Sequence, residues 1–178
     1  MRRLLLLRHG KADRHSAGGD RERPLTRRGL EDARRVGEHL AGLGLTPQLA
    51  VASIAKRAKQ TLEQALNAFP EHVAHLVENT IYNATADHLL EILRQSPDRV
   101  ETLLVVGHNP GFSELAIALA GAGEAEALQR MRAKFPTAAL AVLEFPSDSW
   151  AQAAFGGARL ASFVTPADLR GEEDEDPD

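Results

Sequence analysis

Four short apolar runs, each followed by a helix-forming stretch, set the tightest limit on how this chain can fold. Residues 3–7 (RLLLL) end at Arg8-His9-Gly10, and residues 48–52 (QLAVA) end at Ser53. Residues 73–78 form a third run, and residues 101–106 (ETLLVV) end at Gly107-His108-Asn109-Pro110-Gly111. Short apolar runs bounded by turn formers read as strands buried on both faces. Thr26 is placed to cap a helix reaching about Ala41, with Leu30, Ala33, Val36, Gly37 and Leu40 on one face; Gly42 and Gly44 stop it. Further helices are predicted over about 56–68, 86–95 and 112–120. Two more strands are predicted over 138–145 and 158–164, separated by a turn around Pro146 and Trp150. Strand–helix alternation followed by two strands predicts an α/β three-layer sandwich with a mostly parallel central sheet. Such sheets bind ligands at the carboxyl ends of their strands. The residues just past the predicted strands are Arg8 and His9, Ser53 with Arg57 on the next helix, and His108 with Asn109. Two histidines and two arginines are therefore expected to meet at one edge of the sheet.

Composition narrows the class. The 178 residues include no Cys, which removes disulfide scaffolds, thiol nucleophiles and Cys-based zinc sites and favours a reducing compartment, so a cytoplasmic location is expected. The net charge of −4 is concentrated at one end, because Glu172, Glu173, Asp174, Glu175, Asp176 and Asp178 lie within the last seven residues. Without them, 21 basic residues face 19 acidic ones, and 4% aromatic content offers little for base stacking; nucleic acid is not an expected partner. The apolar run after Arg2-Arg3 is cut short by Arg8, too soon for a signal peptide, and no apolar stretch approaches membrane-spanning length. His72 and His75 resemble a metal pair, but three residues apart in a predicted strand they point to opposite faces.

Two arginines at one site imply a dianionic ligand, most simply a phosphoryl group. A neutral imidazole beside them is a competent nucleophile, and the guanidinium charges help keep it neutral. A second imidazole can donate to the transferring phosphoryl oxygens. These parts suit transfer of a phosphoryl group to one histidine and its release to water. A binding module could use the same arginines, but it would have no need of His9.

The same residues carry a resemblance. Arg8-His9-Gly10 after an N-terminal strand is followed by Asp20…Arg23-Pro24-Leu25-Thr26…Gly29, then Ser53…Lys56-Arg57-Ala58…Gln60-Thr61, then Val106-Gly107-His108-Asn109-Pro110-Gly111. This order resembles the histidine phosphatase superfamily, which includes the cofactor-dependent phosphoglycerate mutases, and within it the SixA-type phosphohistidine phosphatases. The resemblance implies a phosphoglycerate mutase-like fold with one histidine phosphatase domain over 1–170, and the acid-rich composition of 171–178 leads to the expectation of a disordered tail there. It implies His9 as the phosphorylated nucleophile, Arg8 and Arg57 holding phosphoryl oxygens, His108 bridging to them, and no metal or cofactor. Arg23 and Asn109 join Arg8 and Arg57 as candidate substrate-binding residues. Arg23 and Asp20 serve equally well as an ion pair holding the loop over 11–25. The implied substrate is a phosphohistidine on a signalling or phosphotransfer protein; the alternative is a small phosphate ester. One departure concerns the proton donor. Many relatives carry a Glu after the third strand, where this chain reads Glu78-Asn79-Thr80-Ile81-Tyr82-Asn83, with Asn83 at the aligned place and Glu78 the nearest carboxylate. Asn109 likewise follows His108 where another branch has Asp. A site without a strong acid is expected to prefer N–P over O–P bonds, because imidazole can leave neutral and an alkoxide cannot.

Overall fold

The computed structural model describes residues 1–172. Seven strands form one sheet: β1 (Arg2–Arg8), β2 (Leu49–Ser53), β3 (His75–Glu78), β4 (Thr102–Gly107), β5 (Ala120–Gly123), β6 (Leu140–Phe145) and β7 (Ala158–Val164). Their spatial order is β3-β2-β4-β1-β6-β7-β5. β6 alone runs against its neighbours β1 and β7; the other pairings are parallel, as the alternation predicted. Among the described residues, six α-helices connect and cover the strands: α1 (Arg27–Gly42), α2 (Lys56–Leu66), α3 (Ala86–Arg94), α4 (Gly111–Leu119), α5 (Ala125–Ala133) and α6 (Pro166–Arg170).

The leucine run of β1 shows why three layers form. Leu4, Leu5, Leu6 and Leu7 are all fully buried. Strand alternation sends Leu4 and Leu6 into one core, with Leu103 and Val105 of β4, Leu89 and Leu93 of α3, and Phe112 and Leu115 of α4. Leu5 and Leu7 enter the other core, with Leu104 and Val106 of β4, Val36 and Leu40 of α1, and Ala58 and Leu62 of α2. A strand buried on both faces cannot sit at the surface of a two-layer protein.

Several elements went unforeseen. α5 follows Glu124, whose carboxylate accepts from the Glu126 and Ala127 amides. α6 carries a capping box between Thr165 and Asp168 with Pro166 at its first turn. Both are written in helix-forming and capping residues, so their signal was present. β5, by contrast, is Ala-Gly-Ala-Gly and has no strand propensity. It pairs with β7 beside a very close backbone approach: a Cβ on Gly121 would lie 2.0 Å from the Gly156 carbonyl oxygen. β3 begins at His75 rather than residue 73, so strand alternation does not govern His72, and the two rings lie 5.7 Å apart rather than on opposite faces. No cluster of three potential metal ligands forms among the described residues, and no helix among them is long and apolar enough to cross a membrane. Of the expected tail, Gly171 closes α6 in the left-handed region and the Glu172 amide donates to the Ala167 carbonyl; the remainder lies outside the described residues.

Leu6→Ala should remove about 2–5 kcal/mol of stability, the usual cost of emptying a fully packed leucine site. Ile117→Ala, on the partly exposed side of α4, should cost well under half of that. Urea unfolding of the two variants side by side checks the difference.

Candidate active site

Sheet register assembles the site. Arg8, the last residue of β1, lies opposite Gly107, the last residue of β4, so His9 and His108 leave the sheet at the same level. On the far side of β4, Ala52 pairs with Val106, which brings Ser53 level with them. The imidazoles of His9 and His108 stand 5.1 Å apart, centroid to centroid.

The His9 turn is held from several sides. Its amide donates to the Gly107 carbonyl, and the Gly10 amide donates to Thr61 Oγ1 at 2.9 Å. Thr61 in turn donates to the Arg57 carbonyl on α2. Gly29 of α1 packs directly on this turn; a Cβ there would lie 2.1 Å from the Lys11 carbonyl oxygen. His9 Nδ1–H donates to the Gly10 carbonyl at 2.7 Å. A carbonyl can only accept, so the ring proton resides on Nδ1 and Nε2 keeps its lone pair. Burial holds the His9 pKa well below 6.5, with the charges of His108, Arg8 and Arg57 adding to the effect. The neutral, nucleophilic form is therefore the resting one.

His108 Nε2 is hydrogen-bonded to Ser53 Oγ at 2.7 Å, and Ser53 Oγ also accepts from the Ala55 amide. Its Nδ1 is buried without a hydrogen-bond partner. Burial, and then the Arg57 charge, lower its pKa to about 4.

Arg57, 5% exposed, bonds Asp20 twice, to its carbonyl at 2.8 Å and to its carboxylate at 3.2 Å, and its buried Nε has no hydrogen-bond partner. Arg8 Nη1 donates to the Phe135 carbonyl at 3.1 Å. Asp20 also accepts from Arg23 Nε at 2.9 Å and from the Tyr82 hydroxyl. These partners, Tyr82 first, lower the Asp20 pKa to about 2. Tyr82 lies edge-on to His108 at 5.6 Å, under the Arg21 guanidinium. Tyr82 was missed in the sequence because a lone tyrosine after a strand carries no signal; only the fold places it over His108.

The other candidates divide. Arg23 lines the same groove as the two histidines, yet it also ties the 11–25 loop through Asp20 and the Asp13 carbonyl. Asn109 lines the groove as well, but both ends of its amide are engaged: Nδ2 donates to the Phe135 carbonyl, and Oδ1 accepts from the Ser113 amide. Asn83 lines the groove in the left-handed region at φ 57°. Glu78 instead receives the Thr80 amide and hydroxyl, bonds that lower its pKa.

Two imidazoles and two guanidiniums gathered at the carboxyl ends of neighbouring parallel strands have the chemistry to bind and accept a phosphoryl group. The profile of the histidine phosphatase superfamily (branch 1) matches residues 4–81. An uncharacterized protein of Mycobacterium tuberculosis is 35% identical over 162 residues, covering 90% of this chain and 99% of that one. An uncharacterized chloroplastic protein of Arabidopsis thaliana is 32% identical over 180 residues, covering 93% and 78%. Among solved structures, a candidate SixA phosphohistidine phosphatase from Nakamurella multipartitia superposes with a TM-score of 0.80 at 29% identity, covering 93% of this chain and 96% of that one. The fold is shared with the protein histidine phosphatase SixA complexed with tungstate, at TM-score 0.75 and 22% identity, covering 94% and 99%. This chain belongs to the histidine phosphatase superfamily. It has the SixA-type build, and its activity class is that of a phosphatase.

The lowered imidazole pKa values carry a sign for stability. The unfolded chain binds protons on these histidines near pH 6.5, whereas the folded chain resists until about pH 4 at His108. Stability should therefore fall as pH drops from about 6.5 toward 4, because the unfolded state gains protons the native state does not. Urea unfolding at several pH values across that window should show this slope, and His108→Gln should make it shallower.

Proposed function

We propose that this phosphatase hydrolyses phosphohistidine on a partner protein through a phosphorylated His9. The observation that carries the reading is the state of Asp20. It is the carboxylate bonded into the arginine–histidine cluster, and a pKa of about 2 keeps it ionised at neutral pH. Glu78, the other candidate acid, is likewise held ionised, by its bonds to Thr80. An O–P ester whose leaving alkoxide needs a proton finds neither of these carboxylates, the candidates among the described residues, in protonated form. Phosphohistidine needs none, because its imidazole departs neutral when its other nitrogen carries a proton.

The steps follow from the tautomers. Arg8 and Arg57 hold the phosphoryl oxygens, with Arg23 as a further contact. His9 Nε2 gives its lone pair to phosphorus as the substrate N–P bond breaks, and that bonding pair leaves on the substrate imidazole. His108, its ring centroid 5.1 Å from that of His9, stands close enough to donate a ring N–H to a phosphoryl oxygen. Water then attacks the phosphorus. The P–N bond pair returns to His9 Nε2, and the water's proton leaves with phosphate or solvent. Asn109 serves the turn that presents His108. No step requires a metal.

Phosphate release from a phosphohistidine peptide and from phenyl phosphate, an ester whose basic leaving group calls for a proton, both with EDTA present, tests this. The peptide should be the far better substrate, with activity abolished in His9→Ala. Arg57→Ala should lower kcat/KM on the peptide by roughly 10²–10³-fold, the size typical of losing one charge-stabilising donor. Preferential turnover of the aryl ester would move the function to small phosphate esters and overturn the N–P reading.

A further inference from the structure

The phosphoryl pocket is one end of a groove of about 1660 Å³. Pockets for small ligands usually enclose about 300–1,000 Å³. Nine of the groove's lining residues are Arg or Lys, and two, Asp32 and Glu172, are acidic. Three of the cations, Arg8, Arg23 and Arg57, belong to the site already described. Six extend the charge beyond it: Lys11 and Arg14 on the loop after β1, Arg28 on α1, Arg130 and Lys134 at α5 and its end, and Arg170 on α6. Asp32 and Glu172 both bond to Arg170, at 2.6 Å and 3.0 Å, and Arg130 pairs with Asp168 at 2.7 Å, so these groups largely offset one another. Lys11 and Arg14 are exposed, and no ion pair holds either among the described residues.

We propose that this outer groove docks acidic residues flanking the phosphohistidine of the partner protein. The inference rests on the phosphohistidine reading and adds the chemistry that selects the partner. The chain itself supplies a precedent: Glu172, just past the Gly171 cap of α6, lines the groove with its carboxylate 3.0 Å from Arg170 and 4.0 Å from Arg28. An acidic segment of another protein would meet the exposed Lys11 and Arg14 in the same way. A nucleic acid fits less well. The one aromatic residue lining the groove, Phe163, is 4% exposed and offers no face for a base.

Three substrates test the proposal: phosphoimidazole, a phosphohistidine peptide with Asp and Glu flanks, and the same peptide with Ser and Ala flanks. At low salt the acidic peptide should exceed the neutral one in kcat/KM by about tenfold, the size of two exposed ion pairs, and the advantage should vanish at high salt. The double variant Lys11→Glu/Arg14→Glu should erase the preference while leaving phosphoimidazole turnover unchanged, which also shows that the variant is folded. Equal turnover of the two peptides, or a preference that survives in the double variant, would overturn docking. So would a single-stranded oligonucleotide that competes better than an unphosphorylated acidic peptide of equal charge. Failure to hydrolyse phosphoimidazole or either peptide would instead sink the phosphohistidine reading. Docking would then be read from the fluorescence anisotropy of labelled acidic and neutral peptides, where equal affinities overturn it.

Discussion

The parallel pairing of β1 with β4 is the constraint on which the rest of this structure depends. Its register sets Arg8 opposite Gly107, and everything chemical follows from the residues one step beyond. A slip of one residue would turn each leucine of β1 to the wrong core and carry His9 away from His108. The burial of four consecutive leucines therefore does two jobs. It stabilises both faces of the sheet, and it fixes the spacing of two imidazoles to which those leucines contribute no atom. The glycines and threonines of the motifs serve the same end, letting α1 and α2 press against the turn that carries His9.

Within the site, opposing charges are arranged around neutral rings. Guanidinium groups and burial act together to keep both imidazoles uncharged. Asp20 tempers the cluster by pairing with Arg57 and Arg23, and those cations, with Tyr82, keep it ionised. The arrangement favours a nucleophile and disfavours a proton donor. That balance matches a substrate whose leaving group is itself an imidazole. Arg57 holds Asp20 and is also the residue proposed to receive a phosphoryl group, so ligand and loop would address the same guanidinium.

The groove shows how totals mislead. The chain without its acidic end is nearly balanced, 21 basic against 19 acidic residues, and that balance argued against the strongly basic surface of a nucleic-acid binder. The fold sorts these charges instead of mixing them. It gathers cations from the loop after β1, from α1, from α2 and from the far end at α5 and α6 along one wall. Residues from such distant parts of the chain share no pattern in the sequence, so their common face exists only after folding.

Much of the protein was legible beforehand, for definable reasons. The strand–helix alternation follows from apolar runs whose periods are local, so the α/β sandwich and most element positions could be read directly. His9, Arg8, Arg57 and His108 could be placed together because the carboxyl-end rule converts strand order into proximity. α5 and α6 had local capping signals that went unread, whereas β5 had none and exists through backbone contact with Gly156. What only the tertiary structure decided is how polar groups are shared. Asp20 bridges Arg57, Arg23 and Tyr82, Asn109 is engaged by the Phe135 carbonyl, and Glu78 is drawn off to Thr80. A sequence states which donors and acceptors exist. Their partners, and hence their protonation and availability, depend on distances of about 3 Å between residues far apart in the chain, which only packing sets.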